Sequence, residues 1–350
     1  MQTMQTGHLA IDLAAIRRNW RALAARAPAA ETAAVIKADA YGLGAARVGP
    51  ALAAEGARSF FVAHAAEGAA LRAALGPGPR ILTLTGHLEG DAPLLREAVL
   101  IPLLSTPGQV ARHFAALPGH PFGLQLDTGM NRLGLRPAEW GAVAMQALPR
   151  RPVLIASHLA CADRPGHPMN AAQLALFRDL TAGTGVPRSL AATGGILLGP
   201  DYAFELTRPG IGLYGGLPFA GAAPVLRLTL PVLQVRELAP GETVGYDATW
   251  TAPRPSRIAT VAGGYADGLP RALAGRLTLW HGDSPCPAVG RVSMDLITVD
   301  VTDLPGVPDA LDIIGPRQGI DALAASAGTI GYEVLTALGR RYARSYADGA

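Results

Sequence analysis

The chain has 350 residues, 49% of them hydrophobic, and 30 Lys+Arg against 27 Asp+Glu for a formal net charge of +3, enough apolar material for two domains with separate cores. It contains no run of 18 strongly apolar residues to span a membrane, no signal-peptide pattern at residues 1–7 and no basic cluster interleaved with aromatics to bind nucleic acid. Its two cysteines, Cys161 and Cys286, form neither a disulfide framework nor a metal cluster, so a reducing cytoplasm is the expected setting.

In chain order, residues 11–27 carry apolar side chains at helical spacing (Leu13, Ile16, Trp20, Leu23) and stop before Pro28. Strand-like runs follow at 34–38, 60–63, 80–85, 99–104, 123–126, 154–158, 189–192 and 206–213. Helix-like segments such as 106–117, 136–148 and 169–182 lie between them. Eight strands with helical crossovers predict a parallel (β/α)8 barrel of the TIM type. An open doubly wound sheet is the rival, but Gly42-Leu43-Gly44 lacks the third glycine of a dinucleotide fingerprint. From about Val225 the texture turns to short strands (225–233, 257–261, 276–279, 296–301) separated by Gly/Pro turns, with helical periodicity only at 320–327. The expected organisation is an α/β barrel at 1–225 and a mostly-β domain at 226–350.

One residue stands out in the first barrel strand. Lys37 is the only lysine in the chain; the other 29 basic residues are arginine. A lysine at the end of a buried strand is desolvated, which lowers its pKa and makes it nucleophilic, whereas arginine stays protonated and forms no Schiff base. By itself the lone lysine is equally what an arginine-rich composition leaves behind by drift.

Active sites of barrels lie at the C-terminal ends of the strands. That places Lys37 and Tyr41 after the first strand, Arg132 after the fifth, His158 at the end of the sixth, Thr193-Gly194-Gly195 after the seventh and Arg208 in the eighth. Singly, each has an ordinary structural explanation: a loop ion pair, a core histidine, a turn. Jointly, a glycine-rich region at strands seven and eight is where barrels cradle phosphate, and a lysine facing such a cradle suggests pyridoxal phosphate.

The block Val35-Ile36-Lys37-Ala38-Asp39-Ala40-Tyr41-Gly42-Leu43-Gly44 resembles the cofactor-lysine signature of the alanine racemases. Further blocks resemble that family in the same order: Leu126-Asp127-Thr128-Gly129-Met130-Asn131-Arg132-Leu133-Gly134, Ser157-His158-Leu159-Ala160 and Arg208-Pro209-Gly210-Ile211-Gly212-Leu213-Tyr214-Gly215. In the second half come Val244-Gly245-Tyr246-Asp247-Ala248-Thr249-Trp250, Gly264-Tyr265-Ala266-Asp267-Gly268, Gly290-Arg291-Val292-Ser293-Met294-Asp295 and Arg340-Arg341-Tyr342.

The resemblance implies a pyridoxal 5'-phosphate enzyme interconverting L- and D-alanine, which would supply D-alanine for peptidoglycan, as a homodimer with shared active sites. Lys37 would hold the cofactor as a covalent aldimine and serve the D-alanine face. Tyr246 of the partner subunit would serve the L-alanine face. Tyr41, Thr193, Gly210, Ile211 and Tyr342 match phosphate ligands, Arg208 the residue facing the pyridine nitrogen and His158 the imidazole against the ring. Arg132 matches the residue steadying cofactor oxygen and substrate carboxylate. Met294 and Asp295 would reach in from the second subunit, while Tyr265, Asp163, Arg271 and Arg291 match residues of the substrate corridor. Two bases are chemically required, because a single base mostly returns the same proton to the same face. A free phenol titrates near about 10, so Tyr246 needs a neighbouring positive charge, for which Arg208 through His158 is the implied source.

Two departures matter. Many relatives carry a carbamylated lysine seven residues before Arg132; here Gln125 stands there, and a neutral amide leaves room for a chloride beside Gln125 and Arg132. Thr193 replaces a frequent serine and keeps the hydroxyl. Other readings are a racemase accepting serine or larger side chains, a decarboxylase of basic amino acids, against which Arg208 argues, and a non-catalytic pyridoxal phosphate-binding protein.

Overall fold

The structure is a computed structural model that describes residues 6–348. The chain divides into two compact units, Ile16–Ala223 and a second made of the N-terminal segment through Ala15 with Pro224–Ala350.

The first unit is the expected parallel barrel. Its strands are Glu31–Thr32 continued by Ala34–Val35, then Ser59–Val62, Arg80–Thr83, Leu100–Leu104, Gly123–Gln125, Ile155–Ala156, Arg188–Ser189 and Leu206–Thr207. Neighbours from Ala34–Val35 to Arg188–Ser189 pair in parallel in sequence order. Closure comes from Leu206 and Thr207 pairing with Glu31 and Thr32, and from an isolated parallel bridge between Ala192 and Arg208. Strands buried on both faces are continuous apolar runs rather than alternating ones, and Leu100–Leu104 is buried at all five positions.

Helices return the chain between strands. Pro107–Ala116 shows how the sequence starts one: Thr106 accepts a hydrogen bond from the Gln109 amide at 3.1 Å, and Pro107 occupies the first turn, where no donor is needed. Leu124, Leu126, Ile155 and Leu190 pack beneath Trp140, Val143, Leu174 and Phe177 of two such helices in one apolar cluster.

The second unit is an antiparallel closed sheet. Its organising strand is Leu226–Leu238, whose first part pairs with Ala310–Ile314 and whose second part pairs with Ser256–Ala262. The ring continues through Leu296–Asp300, Ser284–Val289 and Thr278–His281 back to Ala310–Ile314. Pro231, which has no N–H to donate, lies where the strand changes partner, and a register shift follows between Val232 and Gln234.

The described residues correct the expected boundaries. Residues 6–15 do not go with the barrel: His8–Asp12 is a strand pairing antiparallel with the Leu226–Leu238 strand and parallel with Ala343–Ala347. Its alternate burial is the two-residue period of a strand, too short to separate from the helical pattern of Leu13–Ala24 that follows. The strands Ser284–Val289, Ala310–Ile314 and Ala343–Ala347 lie outside the expected strand runs. The expected strand at 206–213 ends at Thr207, and Ile211–Tyr214 is a 3-10 turn.

Candidate active site

The expected first strand at 34–38 stops at Val35, and Lys37 opens a tight turn at the barrel mouth. Four successive residues, Ala38, Asp39, Ala40 and Tyr41, have φ of 52°, 53°, 54° and 55°. Left-handed backbone costs an L-residue roughly 1–2 kcal/mol, so the turn needs external support. Gly42 N donates to Ala38 O at 2.7 Å and Gly44 N to Asp39 O at 2.8 Å. The Asp39 carboxylate accepts from the Ala45 amide at 2.7 Å, and the Glu67 carboxylate accepts from the Ala38 amide at 2.9 Å. Burial lowers the Lys37 pKa first; the Arg132 charge lowers it further and Glu67 opposes both.

Beside this turn the loops after strands seven and eight are tied together. The Thr193 hydroxyl accepts from the amides of Gly210 at 3.1 Å and Gly212 at 3.3 Å. Gly210 is required by close approach, since a Cβ there would collide with the Tyr41 hydroxyl. Tyr41 stacks on Tyr214 with ring centroids 4.6 Å apart, and the Tyr214 hydroxyl donates to Val35 O at 2.9 Å. Ile211 is buried within the same turn.

Arg208 is buried beneath the mouth, donating to Ser157 O at 2.6 Å and to the Ser189 hydroxyl. Burial pulls its pKa down to about 10, so it keeps its charge at neutral pH. Packing around His158 pushes its imidazole down to about 3, assisted by the charges of Arg208, Arg132 and Lys37. It is therefore neutral. Gln173 fixes this region by donating to His158 O at 2.9 Å and Thr128 Oγ1 at 3.1 Å, while accepting from the Ala160 amide at 2.9 Å. Lys37, Tyr41, Arg132, His158, Thr193, Arg208, Gly210 and Ile211 are thus all residues of one end of the barrel. Gln125 ends the fifth strand, and Asp163 is exposed in the loop after the sixth.

In the second unit, Tyr246 and Met294 are 68% and 53% exposed, and Tyr265 is also exposed. The Tyr246 turn is anchored by an ion pair between Asp247 and Arg291. Tyr265 N donates to Ser293 O at 3.1 Å, Ala266 N to Met294 O at 3.0 Å, and a Cβ on Gly264 would strike those two carbonyls. Arg341 pairs with Asp295 at 2.7 Å and, through two nitrogens, with the buried Asp267 at 2.7 Å. Arg271 is exposed at the start of a short 3-10 turn. The Tyr342 hydroxyl is buried without a hydrogen-bond partner among the described residues.

Residues 11–218 match the family "Alanine racemase, N-terminal domain" and residues 225–346 "Alanine racemase, C-terminal domain". The chain belongs to the alanine racemase family. An alanine racemase of Cereibacter sphaeroides is 64% identical over 98% of this chain and 99% of its own length, and that of Jannaschia sp. is 61% identical over the same shares. The structure of the Bartonella henselae alanine racemase with covalently bound pyridoxal phosphate superposes with a TM-score of 0.92 at 37% identity, covering 98% of this chain and 99% of that one.

The sequence reading missed several residues that build this racemase fold's barrel mouth: Glu67, Gln173, Ser189 and Tyr214. Glu67 sits in the first turn of a helix directly after a strand, the one local signal that could have raised it. Gln173 and Ser189 lie in ordinary helix and strand contexts, so nothing local marks them.

Proposed function

We propose that Lys37 and the partner subunit's Tyr246 are the two proton-transfer groups of the L-alanine/D-alanine interconversion that this enzyme carries out. The observation that carries the reading is the desolvated single lysine beside a cradle made by Thr193, Gly210 and the Tyr41 hydroxyl.

The donor set fits pyridoxal phosphate. One amine, its pKa lowered by burial and by Arg132, is available for a carbonyl carbon. The Thr193 and Tyr41 hydroxyls are donors for a phosphate, with the Gly210 and Gly212 amides holding the Thr193 oxygen in place. When bound through Lys37, pyridoxal phosphate supplies an electron-withdrawing ring that makes the substrate's Cα–H acidic. Arg208 offers only donors toward a ring nitrogen, because it does not give up its proton at neutral pH. Neutral His158, in the segment after the sixth strand, adds no charge there. Arg132, exposed at the mouth, is placed to take a substrate carboxylate through its planar donors. Lys37, with its amine shifted toward the neutral form, accepts a proton on its own face and returns one to it. The roles of Tyr342, Asp163, Tyr265, Arg271 and Arg291 follow the family pattern.

The second face needs a base held opposite Lys37. Tyr246, Met294 and Tyr265 are large side chains left exposed on a well-laced surface, which is the mark of an interaction site. A homodimer in which the partner subunit's Tyr246, Met294 and Asp295 complete each site uses them. A chloride beside Gln125 and Arg132 would supply the negative charge that a neutral amide does not; bromide exchanged into crystals and giving no anomalous peak there would dismiss it. Supply of D-alanine for peptidoglycan in the cytoplasm is the physiological role consistent with this chemistry.

The test is racemisation of L- and D-alanine beside L-serine, L-lysine and L-arginine. Lys37→Ala abolishes activity and visible cofactor absorbance. Tyr246→Phe lowers turnover from L-alanine far more than it lowers cofactor retention. Full-rate turnover of L-alanine by Tyr246→Phe would sink the two-base scheme. Serine turned over as fast as alanine would move the reading to a broad-specificity racemase.

A further inference from the structure

The left-handed turn after Lys37 is held by its own backbone, by the Asp39 carboxylate on the Ala45 amide and, from outside the turn, by the carboxylate of Glu67. Glu67 Oε1 accepts from the Ala38 amide at 2.9 Å, and its Oε2 accepts from the Ala63 amide at 2.7 Å. Ala63 directly follows the second strand, Ser59–Val62, and Glu67 lies in the first turn of the helix Ala65–Leu75. The carboxylate therefore staples the residue next to Lys37 onto the end of the neighbouring strand. Both bonds are charge-assisted, the stronger class of hydrogen bond, and Ala38 adopts an unfavourable φ of 52°. An aspartate is too short to span both amides, and a glutamine offers an N–H₂ where one amide N–H needs an acceptor.

We propose that Glu67 is a positioning residue for Lys37: it fixes the backbone that aims the amine and brings a negative charge to that side of the barrel mouth. Arg132 faces Lys37 from the loop after the fifth strand, so the Glu67 carboxylate is the counterweight to its positive charge. The inference rests on Lys37 being the reactive amine. It adds that the geometry and charge of that amine are set by a residue that touches neither substrate nor cofactor.

The experiment uses the full-length holoenzyme with Glu67→Gln and Glu67→Asp. One readout is the rate at which hydroxylamine strips the visible cofactor absorbance; the other is the pH profile of kcat and KM for alanine. Both variants are expected to strip faster and to lose roughly tenfold in kcat with little change in KM, the effect of a lost charged hydrogen bond. Glu67→Gln, lacking the negative charge, also moves the lysine limb of the kcat profile to lower pH, while Glu67→Asp leaves that limb in place. Wild-type stripping rates and an unmoved limb in Glu67→Gln would overturn the proposal, as would a kcat loss matched only by a fall in melting temperature. Borohydride reduction and peptide mass mapping of the wild type test Lys37 separately: mass added to any other peptide defeats the Lys37 reading, whereas mass on Lys37 with wild-type-like Glu67 variants defeats only this one.

Discussion

The Thr193 hydroxyl accepts hydrogen bonds from the Gly210 amide at 3.1 Å and the Gly212 amide at 3.3 Å. One side chain from the loop after strand seven thereby holds the turn after strand eight in the shape of an anion cradle. A threonine hydroxyl is replaceable by serine but not by valine, which has the same shape and no acceptor. Thr193→Val is expected to weaken cofactor binding about tenfold or more, since leaving buried donors without an acceptor costs about 1–3 kcal/mol. Thr193→Ser stays within about twofold. Equilibrium dialysis followed by absorbance reads both.

Gly210 and Tyr41 give a test by rescue. A Cβ at Gly210 meets the Tyr41 hydroxyl, with the ring carbon bearing it 3.3 Å away. Gly210→Ala is therefore expected to lower cofactor retention and thermal stability together. Adding Tyr41→Phe removes the oxygen that collides, so the double variant melts higher than Gly210→Ala alone. Additive losses in the double variant would show that the two residues do not meet.

Acid stability is set partly by a histidine outside the site. His113 is fully buried; its Nε2 lies 3.3 Å from the His120 carbonyl and its Nδ1 lies 3.1 Å from His87 Nδ1. The carbonyl only accepts, so Nε2 carries the proton, Nδ1 accepts and His87 donates. Burial lowers the His113 pKa from 6.5 to about 4, assisted by the His87 and His120 charges. A folded-state value below the unfolded one means that stability is full above 6.5 and is lost as pH falls toward 4. Urea midpoints of the wild type should decline across that window. In His113→Gln the decline should be shallower, by up to about 1.4 kcal/mol per pH unit, from a less stable start at neutral pH.

Arg208 is held by the Ser157 carbonyl and the Ser189 hydroxyl, neither of which carries charge. Arg208→Glu places a carboxylate where a cation stood, letting a ring nitrogen gain a proton and the cofactor become a stronger electron sink. The expected outcome is slower racemisation with pyruvate appearing as a by-product of transamination. A variant that gains no transamination and loses no racemisation would remove this role for Arg208.

Much of the barrel was legible because its strands are buried on both faces and therefore read as apolar runs between helical stretches. Strand ends are less legible, because the apolar run does not break where the strand does: Ile36 still donates to Phe61 O at 2.9 Å while Lys37 already opens the turn, and Leu213 prolongs the apolar run beyond Thr207. The strands of the second unit leave a fainter trace in the sequence, since Ser284–Val289 contains two prolines and His8–Asp12 is followed at once by a helix.

The sequence by itself determined the kind of chemistry: a single lysine, a glycine-rich pair of loops and an arginine where another enzyme would place an acid are choices of residue type, visible without coordinates. Only the tertiary structure decided how the lysine is presented. Its left-handed turn is supported by the Glu67 carboxylate reaching 29 positions back along the chain, and the Thr193 tie spans 17 positions; these are contacts between residues distant in sequence. No local pattern encodes them, because each exists only once the strands have closed and brought the loop ends together.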